Sequence, residues 1–310
     1  MNAGGRLVAY AAGVAVAFAG AFGIAAAVVP ATAAETWQET DMNEHAGMTT
    51  APEVQSEALP GLSSSSRGYV LAAVQAPEVP AVDGELRFEI RNQQGVPLTD
   101  YATAHEKQLH LIVVRSDGQE FRHVHPVLDM QTGVWSAPWV WAQAGTYRVY
   151  ADFTPKSAQS PGITLTTTVH VAGEFRPVAS APSSHAVVDD FEVALEGELV
   201  PGRASELTLS VTRAGEPVTT LEPYLGAFGH LVALREGDLA YLHVHADGDA
   251  AKAGESSGPE ITFMAEAPTA GRYLLYLDFQ VDGDVHTAAF VVDSTDVDPG
   301  DAADEESHAH

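Results

Sequence analysis

The sequence predicts an all-β protein: two tandem immunoglobulin-like β-sandwich modules behind an N-terminal apolar helix, a membrane anchor or signal segment. Three observations carry this. Short β-type runs, punctuated by Gly, Pro, Asp and Asn, recur from residue 68 to residue 293 at the spacing of a sandwich or barrel. The second half of that region repeats the first at a nearly constant offset, the mark of a duplicated domain. An uncharged apolar run precedes both halves.

That run covers residues 7–29, 23 residues without a charged side chain. As a helix it would be about 34 Å long, enough for a hydrocarbon core of about 30 Å. Arg6 stands before it, and the next charges, Glu35, Glu39 and Asp41, are acidic. The positive side stays inside, so the following modules face outward. Ala31-Thr32-Ala33 resembles a small-residue cleavage site, which leaves a secreted form as the alternative. Signal-peptide cores run about 7–15 residues, so the single-pass anchor in the cell membrane is preferred. Segment 1–30 is therefore anchor or signal. Residues 31–67, rich in Ala, Thr, Ser, Glu and Pro and ending in four serines, read as a flexible linker.

Module 1 occupies 68–173, with strands expected at 69–75, 86–91, 109–115, 121–125, 134–141, 147–153 and 163–171. A Pro- and Ser-containing linker, 174–185, follows. Module 2 occupies 186–293, with strands expected at 187–195, 207–212, 231–235, 241–244, 260–264, 273–279 and 287–292. The tail, 294–310, is acidic with almost nothing apolar, and disorder is expected. Gly145-Thr146-Tyr147 and Gly271-Arg272-Tyr273 each open a late strand in the manner of a tyrosine corner.

Charge and composition exclude several function classes. Fifteen Lys and Arg stand against 42 Asp and Glu, a net charge of −27, which repels nucleic acid and favours cations. There is no cysteine, hence no disulfide and no thiolate ligand. No nucleophile elbow, phosphate loop, His-Glu-x-x-His or Cys nucleophile is present, so the chain is not expected to be an enzyme.

The chemistry-bearing residues are histidines, and the duplication repeats them. His110, His123 and His125 recur as His230, His243 and His245, each displaced by 120 residues; Asp152 and Asp278 correspond at 126. In module 1 a two-residue turn at Asp117-Gly118 makes paired residue numbers sum to 235, so Ile112 faces His123 and His110 faces His125. Gly237-Asp238 makes the sum 475 in module 2, so Val232 faces His243 and His230 faces His245. Side chains alternate along a strand, so the three histidines of each module share one face, neighbours about 7 Å apart. Three imidazoles with an open position suit Cu(II) or Zn(II). Asp152 and Asp278 are candidates for a fourth ligand or a partner that orients a ring. His105 is an additional candidate; its counterpart, Leu225, cannot ligate. The same face carries Ile112, Val114 and Phe121, or Val232, Leu234 and Tyr241, so a core face with structural histidines is the competing reading.

The stretches 105–115, 123–126 and 147–153, with 224–232 and 243–245, resemble exported or membrane-anchored actinobacterial proteins whose activity is unsettled. The modules are similar in style to YtkA-like and copper-resistance-type extracytoplasmic domains. That resemblance implies immunoglobulin-like sandwiches outside the cytoplasm and, by association, a copper or heavy-metal role. The expected partners are the membrane, through the N-terminal helix, and a metal ion. Two functions stand: metal buffering or delivery, and a non-catalytic interaction or scaffold module of the cell envelope.

Overall fold

The computed structural model describes residues 59–156, 162–242, 244–247 and 250–295, with only the backbone of His245. Every regular element among them is a strand. Among the described residues no helix is long and apolar enough to cross a membrane. The apolar run 7–29, the spacer to residue 58 and the tail from 296 lie outside the described residues.

Module 1 contains β1 (Ser65–Ser66), β2 (Tyr69–Leu71), β3 (Gly84–Asn92), β4 (Tyr101–Ala102), β5 (Leu109–Arg115), β6 (Arg122–Val124), β7 (Val127–Asp129), β8 (Val134–Trp139), β9 (Gly145–Pro155) and β10 (Ile163–Val171). One sheet runs β1-β2-β3-β8-β7; the other runs β10-β9-β5-β6, with β4 on β9. Module 2 contains β11 (His185–Val188), β12 (Phe191–Glu196), β13 (Ala204–Arg213), β14 (Glu216–Pro217), β15 (His230–Arg235), β16 (Tyr241–Leu242), β17 (Val244–Ala246), β18 (Glu260–Glu266), β19 (Gly271–Val281) and β20 (Asp284–Ser294). Its sheets run β11-β12-β13-β18-β17, with β14 on β13, and β16-β15-β19-β20. Each pair of sheets encloses its own apolar core. All the pairings between these strands are antiparallel.

The two sheets of each module differ in what covers them. β3 buries Leu86, Phe88 and Ile90 and exposes the alternate residues, the pattern of a sheet with one wet face. β5 is buried at all seven positions. Leu109, Leu111 and Val113 enter the core of module 1, while Ile112 and Val114 enter a third cluster shared with module 2. β15 behaves alike: Leu231 and Ala233 point inward, and Val232 and Leu234 join the shared cluster. Tyr150 of β9, Leu239 of the hairpin loop, and Leu274 and Tyr276 of β19 complete it. The modules therefore pack sheet on sheet through the faces that the sequence marked as histidine-bearing.

Polar bonds cross this layer in near-symmetric pairs. The Tyr150 hydroxyl donates to Leu239 O at 2.6 Å, and the Tyr276 hydroxyl to Gly118 O at 2.6 Å. Each reaches the hairpin loop of the other module. Phe121 stacks on Tyr276 with centroids 4.0 Å apart, and Tyr241 lies 6.0 Å from Tyr150. The segment after residue 173 is pinned to both modules. The Val178 N–H donates to Asp117 Oδ2 at 2.9 Å, and Arg272 Nη1 to Ser180 O at 3.2 Å. The described residues of the two modules cluster as one compact unit.

The late tyrosines close corners as their sequence context predicts. Tyr147 donates to Gln143 O at 2.8 Å and Tyr273 to Thr269 O at 2.7 Å, each four residues upstream. β5 and β10 have the expected bounds.

Four expectations are corrected. The single strand expected at 187–195 is a hairpin of β11 and β12, because Asp189 takes a left-handed conformation (φ 52°) and reverses the chain. The strand expected at 241–244 divides between sheets, β16 pairing β15 and β17 pairing β18. The hairpin turns are longer than two residues. In module 1 the Arg115 N–H donates to Gln119 O, and a left-handed Glu120 (φ 57°) inserts one residue. In module 2 the Arg235 N–H donates to Ala240 O around a left-handed Leu239. The pairing sums of 235 and 475 hold within β6 and β16, as Ile112↔His123 and Ala233↔Leu242 show, but His245, expected to face His230, pairs with Met264 of the opposite sheet. Finally, residues 59–67, read as the end of the flexible linker, are held in place. The Tyr241 N–H donates to Pro60 O at 3.0 Å, the Thr166 N–H to Ser63 O at 2.9 Å, and Ser65–Ser66 forms β1. This strap bridges the edges of both modules, satisfying donors that an open strand edge would leave to water.

Gly61 lies where the strap crosses the seam. Its φ is +72°, and a Cβ there would sit 2.7 Å from Tyr241 Cβ and 3.0 Å from the Tyr150 ring. Gly95 shares the positive φ (+75°) with open space around it. Gly95→Ala is expected to cost about 1 kcal/mol through the backbone alone, and Gly61→Ala clearly more. Urea denaturation of both variants checks this; equal losses would mean that the seam does not constrain the strap.

Candidate functional site

Strand alternation builds the site. On β5, His110 has the parity of Ile112 and Val114, so it points toward module 2 from the end of the shared layer. His123 on β6 is the register partner of Ile112 and shares that face. His125 follows β6 just before the chain crosses to β7 in the opposite sheet. The three rings converge: His110 Nδ1 lies 3.0 Å from His123 Nε2 and 3.2 Å from His125 Nε2. All three ligand atoms lie within 4.8 Å of one another. Tetrahedral zinc with Zn–N of 2.0–2.1 Å requires N···N separations of about 3.3 Å.

The outer nitrogens decide what the inner ones carry. His110 Nε2 lies 3.2 Å from Ala104 O. A carbonyl only accepts, so Nε2 holds the proton and Nδ1 keeps its lone pair in the neutral ring. His123 Nδ1 lies 2.8 Å from Asp278 Oδ2. The carboxylate likewise accepts, directing the His123 Nε2 lone pair inward. Two lone pairs 3.0 Å apart call for an electrophile between them, a proton or a metal ion. Asp278 is itself oriented by Thr287 Oγ1, which donates to Oδ1 at 2.6 Å. The His123 and Asp278 side chains are 4% and 3% exposed. Asp278 belongs to module 2, so the bond crosses the module boundary.

The turn that supplies Ala104 O repeats. Ala104 and Lys107 exchange backbone hydrogen bonds around His105 (φ 47°) and Glu106 (φ 62°). Tyr224 and Ala227 do so around Leu225 (φ 56°) and Gly226 (φ 79°). Two successive left-handed residues define a type I′ turn. It aims the preceding carbonyl at the histidine six residues on, and His230 Nε2 bonds Tyr224 O at 2.9 Å.

Of the other expected residues, His230 stands beside the triad, its ring centroid 6.4 Å from that of His123. His105, exposed on its turn, lies 5.4 Å from His230 and 5.9 Å from His110. Asp152 is the cross-strand partner of His110 and accepts from Thr164 Oγ1 at 2.8 Å. His243 and the side chain of His245 lie outside the described residues. The three-His cluster expected in module 1 is present, and the carboxylate that orients one of its rings comes from module 2, because the two histidine faces pack together. Sequence reasoning missed the carbonyls of Ala104 and Tyr224 and the hydroxyl of Thr287; the repeated six-residue spacing from turn to histidine was the available signal. A groove lined by Glu106, Lys107, His125, Pro126, Met130 and Trp135 opens the His125 edge to solvent.

Burial, and then repulsion from His123, hold His110, His125 and His230 neutral. Desolvation, then the His123 charge, push His110 down to about 3; the same two causes bring His125 to about 3 and His230 to about 4. With folded values below the ordinary 6.5, the unfolded chain binds protons that the folded chain refuses. Stability is full above about pH 6.5 and falls as pH drops toward 4. Metal-free protein is expected to lose about 1.4 kcal/mol per pH unit for each such proton between pH 6.5 and 5, measured by urea unfolding. A flat profile there would contradict the burial of these rings.

Solved structures align at low similarity. The S-layer protein SbsC is 12% identical over 70% of this chain and 24% of its own, with a TM-score of 0.24. Invasin, a bacterial integrin-binding protein, is 14% identical over 74% and 39%, with a TM-score of 0.22. The Yersinia pseudotuberculosis adhesin InvE is 13% identical over 73% and 58%, with a TM-score of 0.21. The chain thus spans under two thirds of each, and alignments at these scores carry no argument about fold or function. No curated protein matches the chain. One family does match, over residues 66–173 and again over 186–296, more than two thirds of the sequence. The chain belongs to the family described as a domain of unknown function (DUF8832), which it carries twice.

Proposed function

We propose that the protein is a non-catalytic, extracytoplasmic metal-binding protein that holds Cu(II) or Zn(II) through His110, His123 and His125, in buffering or delivery. Each module is read as an immunoglobulin-like sandwich, and residues 7–29 as the helix that anchors the chain to the membrane. The observation that carries the metal reading is the convergence of three imidazole nitrogens, in two of whose rings the outer nitrogen already has an acceptor. His110 donates outward to Ala104 O and His123 to Asp278, leaving lone pairs that meet at 3.0 Å. Such outer bonds fix the tautomer and raise ligand basicity. Three protein nitrogens leave a position open, and a groove reaches the His125 edge of the cluster. The acidic surface, with a net charge of −27, concentrates cations around it.

A second reading has its own support. The 3.0 and 3.2 Å contacts among the rings are also those of a proton-sharing imidazole cluster, a structural device in an interaction module of the cell envelope.

Calorimetric titration of the untagged full chain with Cu(II) and with Zn(II) at pH 7 separates the two. The metal reading expects a dissociation constant below about a micromolar, and at least a hundredfold loss when His110, His123 and His125 are replaced together by Ala. Binding no tighter than a micromolar, or binding untouched by the triple replacement, would leave the structural reading.

A further inference from the structure

Resting on that metal reading, we infer that metal capture and docking of the two modules are one coupled event, with Asp278 as the positioning residue that joins them. His123 comes from module 1, and the carboxylate that orients it comes from β19 of module 2. Both are nearly sealed from solvent, and the second Asp278 oxygen is held by Thr287 of β20. A carboxylate gripped on both oxygens has one orientation to offer, and only a docked module 2 can offer it to His123. The corresponding carboxylate of module 1, Asp152, accepts from Thr164 just as Asp278 accepts from Thr287.

The coupling has a physical path. His110 and His123 share a strand face with Ile112, Val114 and Phe121, which form the inter-module layer with Val232, Leu234, Leu274 and Tyr276. The layer ends in the two hairpin loops, where Tyr276 bonds Gly118 O and Tyr150 bonds Leu239 O. Opening the layer would remove Asp278 from His123, and a bound ion resists that opening. Binding and docking then favour each other by the same factor. The site is an inter-module clasp, and the ligand it takes is a borderline divalent cation.

Zn(II) titration of the full-length wild type, Asp278→Asn and Thr287→Val tests this, with hydrogen exchange followed at residues 115–120 and 236–240. Asp278→Asn is expected to weaken Zn(II) binding by about 10–100-fold, and Thr287→Val by less. Zn(II) is expected to slow exchange in both hairpin loops of the wild type, although they lie at the far end of the layer. That protection should vanish in Asp278→Asn at saturating Zn(II). Unchanged affinity in Asp278→Asn, or loop exchange indifferent to Zn(II), overturns the coupling while leaving the metal reading intact. If Asp278→Asn does not fold, unchanged affinity and protection in Thr287→Val overturn it equally. A wild type that binds no Zn(II) or Cu(II) rejects the metal reading itself.

Discussion

The rest of the structure depends on two sheets having no wet face. β5 and β9 in module 1, and β15 and β19 in module 2, each bury one side in their own sandwich and the other against the partner module. Antiparallel sheets ordinarily show water one face and alternate accordingly, as β3 does. Here double burial leaves little freedom in register, because a one-residue slip would exchange both faces at once. His110 and Asp278 occupy this layer with a parity set by their apolar neighbours. Polar groups in such a place need partners, and the cluster supplies them from both modules.

Much of this was legible beforehand. Duplication at 120 residues, the tyrosine corners and the Ile112↔His123 pairing all follow from sequence spacing and strand alternation. Even the double burial has a written trace: Leu109 to Val114 is apolar at every position but His110. What the residues could not disclose was the partner of the second face. Alternation puts Asp278 on the histidine face of its own module; it does not say that this face meets the equivalent face of module 1. The turns were misjudged for a local reason. Asp117-Gly118 is a favoured two-residue turn, but the left-handed Glu120 absorbs an added residue while restoring the same pairing sum. The serine-rich strap was misread because composition reports on solvation and not on an unpaired strand edge waiting nearby.

The electrostatics of the cluster run against the surface of the molecule. Over the whole chain, acidic residues outnumber basic ones nearly threefold, 42 to 15. Inside, burial and neighbouring rings keep His110, His125 and His230 neutral. Neutral imidazole is the form that ligates a metal. Asp278 is held in place between His123 and Thr287. An acidic chain around a neutral histidine interior is the arrangement on which the proposed cation capture rests.

The most direct test is crystallographic. Anomalous difference maps at the zinc and copper edges, from crystals of the metal-loaded full chain, report where the ion sits. The account predicts a peak about 2.0–2.1 Å from His110 Nδ1, His123 Nε2 and His125 Nε2, with Asp278 still on His123 Nδ1. Full metal occupancy elsewhere with the three rings still bonded to one another would contradict it.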